Sequence, residues 1–259
     1  LDTILNRLAQ YMEKAMALKK KVKSAMIYPS TIVTVALAVV IFLLIFVIPT
    51  FKSMFEGFGA TLPLPTVIIL EASRIVRTYA LFGLGGIIAA VVGLKWWYRT
   101  AAGRLTIDAL LLRAPVFGML IRKVAVAKFT RTLGTLISSG VAILDGLDIT
   151  ARTAGNKIVE QAVLRTRASI AEGKTIAEPL KASGVFPPMV VQMIAVGEQT
   201  GALDAMLGKI ADFYDEEVDT AVANLTALLE PMLMVFLGVV IGGVVIAMYL
   251  PIFKLASVV

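Results

Sequence analysis

The sequence predicts an all-α, polytopic membrane protein with three transmembrane helices and a cytoplasmic six-helix-type bundle, internally duplicated. Hydrophobic residues make up 58% of the 259 residues, and the mean hydropathy is +0.87. Both values exceed those of ordinary water-soluble domains, which favours a membrane protein. One pattern also occurs twice, at a constant offset of 202 residues and without a gap. The architecture is therefore predicted to rest on one structural unit made twice.

Each copy of the repeat indicates an amphipathic helix, a proline, and an apolar run that ends in another proline. Because residue 1 aligns with the middle of such a unit, we expect the chain to be part of a longer protein. Residues 1–28 then form the last helix of a truncated first cytoplasmic domain. The two copies share ten identities in 52 positions, namely Leu1/Leu203, Asp2/Asp204, Leu5/Leu207, Ala9/Ala211, Ala25/Ala227, Pro29/Pro231, Val33/Val235, Pro49/Pro251, Phe51/Phe253 and Lys52/Lys254.

Three apolar runs predict membrane spans. A helix that rises ~1.5 Å per residue needs roughly 20 apolar residues to cross ~30 Å of hydrocarbon. The first run, residues 24–51, and the third run, residues 231–253, meet this length and contain no charged residue. The second run is shorter, and the aromatic residues Trp96, Trp97 and Tyr98 extend it as an interfacial belt. The predicted transmembrane helices are residues 29–51, 78–98 and 230–253.

Two segments outside the spans are predicted to be periplasmic. Residues 52–77 contain glycines and prolines that indicate turns, followed by a helix that starts near Pro65, and residues 254–259 form a tail. Pro29 and Pro231 lie at equivalent places near the start of the first and third spans. Each proline either kinks its helix, so that domain and span meet at a defined angle, or marks only the membrane boundary.

Residues 99–229 predict a second cytoplasmic domain, built as a helical bundle. Glycines and prolines separate successive helical patterns, because glycine favours helix ends and proline favours helix starts. The final helix is predicted to begin near Thr200 and to continue into the third span. The predicted breaks lie at Pro115 and Gly118, Gly140, Gly155-Asn156, Gly173 and Pro187-Pro188.

Basic residues flank the spans unequally, and cytoplasmic flanks carry the excess of Lys and Arg. Four lysines precede the first span and four basic residues follow the second, against three in the loop between them. We therefore expect the N-terminus and residues 99–229 in the cytoplasm and the C-terminus outside it. The residues counted are Lys19, Lys20, Lys21 and Lys23; Lys95, Arg99, Arg104 and Arg113; and Lys52, Arg74 and Arg77.

Composition disfavours an enzyme. The chain has no Cys and no His, which removes thiol nucleophiles, the usual proton shuttle and the commonest metal ligands. We expect no catalytic residue, no cofactor and no metal. Gly173-Lys174-Thr175 resembles the end of a phosphate-binding loop, but it lies between predicted helices rather than after a strand, so nucleotide binding is not predicted.

Two other classes are also disfavoured. Residues 99–229 hold 14 Lys and Arg against 13 Asp and Glu, a near-neutral balance that disfavours a nucleic-acid partner despite the basic pI. A transporter or channel is disfavoured because the apolar runs 24–51, 78–94 and 231–253 contain no Asp, Glu, Lys or Arg. The expected non-protein partner is the lipid bilayer, next to the basic flanks.

Glycines in the spans are candidates for helix packing. Gly238 and Gly242, with the adjacent Gly243, form a small-xxx-small face in the third span, and Gly86 lies in the second. Such a face lets two helix backbones approach closely. The contact is with another span, in this chain or another; the alternative is that membrane helices simply tolerate glycine.

An acidic stretch precedes the third span and includes Asp215, Glu216 and Glu217. The first copy of the repeat carries lysines in the corresponding region, so the two copies differ in sign. One interpretation is a solvated helix face. The other is that the two modules present oppositely charged surfaces to a common partner.

Three motifs resemble the signature of the type II secretion F family, the polytopic platform proteins of type IV pili and related secretion machines. They are Gly197-Glu198-Gln199-Thr200-Gly201-Ala202-Leu203, Glu230-Pro231, and Met248-Tyr249-Leu250-Pro251-Ile252-Phe253-Lys254. The last motif and Gly184-Val185-Phe186-Pro187-Pro188 are more similar to the pilus branch than to the secretion branch. Within the first motif, Gly197 and Gly201 suit a tight interhelical turn, Thr200 a helix cap and Asp204 a helix N-terminus; Glu198 is either structural or a partner contact.

The resemblance implies a non-enzymatic, oligomeric platform in the bacterial inner membrane. The implied partners are a cytoplasmic hexameric assembly or retraction ATPase, pilin subunits and inner-membrane alignment proteins, with no nucleic acid. The platform of a type II secretion system is the alternative, and a transporter subunit is a more distant one. The candidates for motif or partner contact are Gly197, Glu198, Gly201, Leu203, Asp215, Glu216, Glu217, Glu230, Pro231 and Pro29.

Overall fold

The computed structural model describes residues 2–51, 63–115 and 117–256, and its regular structure in these ranges is helical, as predicted. A π-helical turn, Leu43–Val47, continues the first helix. The helices are α1 (Asp2–Phe42), α2 (Leu64–Arg99), α3 (Ala101–Arg113), α4 (Phe117–Ser138), α5 (Ile143–Thr153), α6 (Lys157–Ala171), α7 (Ala177–Ala182), α8 (Pro188–Thr200) and α9 (Leu203–Ala256).

Three helices are long and apolar enough to cross a membrane, by length and composition. They contain the three predicted spans: α1 with its continuation, α2 and α9. The chain divides into two compact units. The bundle unit comprises Leu1–Ser24 and Trp96–Leu225, and the membrane unit comprises Ala25–Lys95 and Thr226–Val259.

Glycines end several helices of the bundle unit where the sequence predicts it. Gly140, Gly155 and Gly173 have φ angles of 83°, 80° and 81°, a left-handed conformation that glycine adopts without steric cost. Asn156 does not end a helix as predicted, because its side chain accepts hydrogen bonds from the amides of α6 and so begins that helix. Gly118 lies in the first turn of α4, where the close carbonyl of Leu112 leaves no room for a Cβ.

The core of the bundle unit draws on α4 to α9. Each fully buried aliphatic or aromatic side chain contributes about 1.5–3 kcal/mol relative to exposure, and the rings of Phe129 and Phe186 pack with centroids 4.8 Å apart. A Cβ on Gly134 would lie 3.1 Å from that of Leu207, so α4 and α9 approach closely. The largest fully buried side chains are Phe129, Leu133, Leu147, Leu180, Ile194, Leu207, Ile210, Val126, Val159, Val163, Val190 and Val218.

Side-chain hydroxyl groups join described helices within the membrane unit. The Thr66 hydroxyl donates to the Ala247 carbonyl at 2.6 Å, and the Ser73 hydroxyl donates to the Leu44 carbonyl. Leu44 lies in the π-helical turn, where the regular hydrogen-bond ladder is locally rearranged. The first turns of α2 are therefore held beside α1 and α9, whereas residues 77–102 are exposed in the described chain.

Candidate functional site

The Gly197–Leu203 motif forms the turn between α8 and α9. Gly201 follows α8 with a φ of 69°, in the left-handed conformation, and α9 begins at Leu203 with Asp204 in its first turn, as predicted. The predicted capping role of Thr200 is wrong. Its hydroxyl donates to the Val196 carbonyl at 2.7 Å, because Thr200 is still the last residue of α8.

Gly197 acts through close packing rather than through turn geometry. It lies buried inside α8, and a Cβ there would lie 3.0 Å from the Cα of Leu203 and 3.1 Å from the Cβ of Met206. Almost any side chain would push these atoms away. Gly197 therefore lets α9 fold back tightly on the last turn of α8.

The Glu198 carboxylate binds a backbone amide of the same bundle. Its two oxygens accept from the Ile176 N–H at 2.9 and 3.1 Å. Ile176 is buried and immediately precedes α7. A carboxylate that accepts from a backbone amide makes a charge-assisted hydrogen bond. The contact ties α7 to α8 and supports the structural interpretation of Glu198 over a partner contact.

The acidic stretch on α9 meets basic residues of α4. Arg131 Nη2 lies 2.8 Å from Asp212 Oδ1 and 2.5 Å from Asp215 Oδ2. Lys123 Nζ lies 2.6 Å from Glu217 Oε2. These ion pairs join positions that are far apart in the sequence, and they fix the rotation of α9 against α4.

Arg131 is the centre of this cluster. Its side chain is only 16% exposed. Burial disfavours its charge, but the hydrogen bonds to Asp212 and Asp215 outweigh burial and raise the pKa of Arg131 above its ordinary value. Arginine is protonated at physiological pH in any case, so these pairs persist across that range. Of the three candidate carboxylates in the acidic stretch, Asp215 and Glu217 are thus engaged within the chain.

The remaining site candidates are not brought together in the described chain. Glu216, Glu230 and Pro231 are exposed, and Pro29 is buried. Helices α1 and α9 continue through Pro29 and Pro231. A Cβ on any of the four packing glycines would meet no other segment within 4 Å, so no described part of this chain packs closely on them: Gly86, Gly238, Gly242 and Gly243.

Sequence reasoning missed one buried carboxylate, Asp108 on α3. It is 2% exposed; its Oδ1 accepts from the Tyr98 hydroxyl at 2.9 Å and its Oδ2 from the Lys157 amide at 2.6 Å. Arg104 Nε lies 3.9 Å from Oδ2. Asp108 therefore links the end of α2, α3 and the start of α6. A signal existed: Asp108 is the only acidic residue between Glu71 and Asp145.

The described residues offer no sign of metal chemistry. No group of three or more His, Cys, Asp or Glu in that part of the chain could hold a metal ion. Gly173-Lys174-Thr175 lies between α6 and α7, and the Lys174 ammonium pairs with Glu172 at 2.7 Å.

A family model described as Type II secretion system (T2SS), protein F, matches residues 1–49 and 129–251. A protein of Myxococcus xanthus named Type IV pilus assembly protein PilC is 58% identical over 99% of this chain and 62% of its own length. A protein of the same name in Thermus thermophilus is 47% identical, over 98% and 63%. Type II secretion system protein F of Pseudomonas aeruginosa is 34% identical, over 100% and 64%. The chain thus spans less than two thirds of these relatives.

The close packing at Gly197 generates a stability prediction. We expect Gly197→Ala to lower the stability of the bundle unit by about 1–3 kcal/mol, because an added methyl group overpacks the contact of α8 with α9. The thermal unfolding midpoint of the full chain in detergent measures the effect.

Gly208→Ala is the matched control. Gly208 also lies in a helix, a Cβ there meets no atom within 4 Å, and alanine is preferred to glycine in helices. Its unfolding midpoint should stay the same or rise. An unchanged midpoint for Gly197→Ala would contradict the close approach of the two helices.

Proposed function

Since this chain belongs to the type II secretion system protein F family, we propose that it is part of the inner-membrane platform protein of a type IV pilus assembly machine. The observation that carries the proposal is the higher identity to relatives named for pilus assembly than to those named for type II secretion. Three candidate spans support a multi-pass membrane protein. The protein acts without catalysing a reaction, as a mechanical link between a motor and the subunits that it assembles.

Helix α9 supplies a physical basis for such a link. It is continuous from Leu203 to Ala256, and its first turns are anchored by buried Leu207 and Ile210 and by the ion pairs to α4. A continuous hydrogen-bonded helix transmits displacement along its axis better than a loop does. A cytoplasmic hexameric ATPase that moves the bundle unit would thus act on the membrane segment that engages pilin subunits.

Other partners follow from the surfaces left open. Gly238 and Gly242 meet no described segment of this chain, which favours a contact with a second copy or with another membrane protein, such as pilin or an alignment protein. The second candidate function is the equivalent platform of a type II secretion system, because relatives with that name also align over the whole chain.

Deletion of the gene that encodes this chain distinguishes the two functions. For a pilus platform, we expect surface pili to disappear while pilin remains in the inner membrane, because subunits are made but not extracted. Electron microscopy and pilin immunoblots of membrane and sheared fractions measure this. Re-expression of the full-length gene should restore piliation. Normal pili together with loss of secreted enzymes would overturn the pilus assignment in favour of secretion.

We further propose that residues 99–229 lie in the cytoplasm and residues 52–77 in the periplasm, as the flanking charges favour. The chain has no native cysteine, so single cysteines report orientation directly. With a membrane-impermeant maleimide on intact cells, Ser53→Cys should label and Ala171→Cys, at an exposed position of α6, should label only after lysis. The reverse pattern would invert the orientation.

The acidic stretch limits how an ATPase can dock. Glu216 is exposed, whereas reversing Asp215 or Glu217 would also break contacts with α4. We therefore expect Glu216→Lys to weaken capture of the assembly ATPase at low salt, with the difference fading as salt screens exposed charges beyond ~8 Å. Pull-down across a salt series measures it.

The double variant Lys123→Glu with Glu217→Lys is the control for this test. It moves charge near the same surface but can retain the ion pair between α4 and α9, so the bundle should stay folded. Equal ATPase capture by the wild type and Glu216→Lys at every salt concentration would leave the acidic stretch with a structural role only.

A further inference from the structure

Helix α3 buries its carboxylate and exposes leucine side chains, which is the opposite of what a helix facing water does. Its carboxylate, Asp108, is 2% exposed, whereas Leu110 is 69% exposed and Leu105 is 36% exposed. The Thr106 hydroxyl on the outward side donates to the Ala102 carbonyl at 2.9 Å, so its hydrogen is already bonded within α3. We call one helical stripe the outer face of α3; it consists of Ala102, Leu105, Thr106, Ala109, Leu110 and Arg113.

We propose that the outer face of α3 lies in the cytoplasmic leaflet of the membrane, with Leu105 and Leu110 among the acyl chains and Arg113 at anionic lipid phosphates. This inference does not depend on the pilus function. It requires that α2 crosses the membrane with residues 99–229 on the cytoplasmic side, and that its aromatic end, Trp96 to Tyr98, marks the interface.

The geometry around Tyr98 keeps α3 near that interface. Ten residues of straight helix would separate Tyr98 from Asp108 by about 15 Å, which is further than their side chains can bridge. The Tyr98 hydroxyl oxygen and Asp108 Oδ1 nevertheless lie 2.9 Å apart. The chain turns at Thr100, which has extended backbone angles and whose hydroxyl accepts from the Gly103 amide at 3.1 Å. Helix α3 therefore folds back towards Tyr98 in the aromatic belt.

The charged groups on and beside α3 favour contact with anionic lipid. The carboxylate of Asp108 is turned inward and bound to Tyr98 and the Lys157 amide. Arg99 and Arg113 at either end of the helix are exposed. An exposed apolar stripe that begins three residues after a membrane helix and has a cation at either end has the composition of an interfacial segment.

This seating would give Asp108 a defined task. Asp108 binds the amide of Lys157, the first residue of α6, on the side of α3 opposite the outer face. A lipid-embedded α3 would then hold the start of α6 at a set distance from the membrane. Asp108 is a positioning residue in this arrangement.

Spin labels test the depth of the outer face. Full-length chain carrying the single substitution Leu110→Cys, or Leu105→Cys as a second site, is labelled and placed in vesicles of phosphatidylethanolamine with phosphatidylglycerol. We expect the label to be relaxed several-fold more by oxygen, which partitions into lipid, than by a water-soluble nickel chelate. Leu164→Cys on α6, an exposed leucine of the same bundle unit, is the matched control and should show the opposite preference.

The same vesicles distinguish contact of the stripe with anionic lipid from contact with a protein surface. Arg113→Gln in the Leu110→Cys background, or vesicles without phosphatidylglycerol, should increase nickel access at residue 110. Nickel access equal to that of the Leu164→Cys label in vesicles would overturn the proposal. So would protection of residue 110 that follows the protein-to-lipid ratio instead of lipid charge, because a protein surface would then cover the stripe.

Discussion

The hydrocarbon interior accepts no unpaired backbone amide or carbonyl, and the rest of this structure depends on that constraint. It forces each span into a continuous helix, and it explains why α1 and α9 run through Pro29 and Pro231 instead of breaking there. It also explains the use of hydroxyl groups between helices. Thr66 and Ser73 donate to backbone carbonyls of α9 and of the π-helical turn, bonds made where the described helices of the membrane unit pack together.

Within the bundle unit, both apolar and ionic contacts hold the first part of α9 against α4. Burial of Leu207 and Ile210 stabilises the packing of α9 in the bundle unit, but it does not by itself set the rotation of α9. The ion pairs of Arg131 and Lys123 with the acidic stretch do so, and half-buried pairs of this kind are screened less by salt than exposed ones. Most of these acidic residues are therefore engaged in contacts within the fold.

Two carboxylates of the bundle unit join helix ends to one another. Glu198 binds the amide before α7, and Asp108 binds the amide at the start of α6 and the tyrosine at the end of α2. Both carboxylates accept from amides near helix N-termini, where a negative charge is favourable. These hydrogen bonds fix how successive helices of the bundle unit meet.

The sequence by itself determined the all-α class, the three candidate spans, the duplicated plan and most helix ends, because hydropathy, helical periodicity and the left-handed preference of glycine are local properties. It misassigned Thr200, because α8 extends through this residue and α9 begins only at Leu203. It did not reveal Asp108 as a junction, nor that Asp215 faces Arg131. Those facts were decided by tertiary structure, because pairs 10 to 84 positions apart meet only when helix packing has set which face of each helix turns inward.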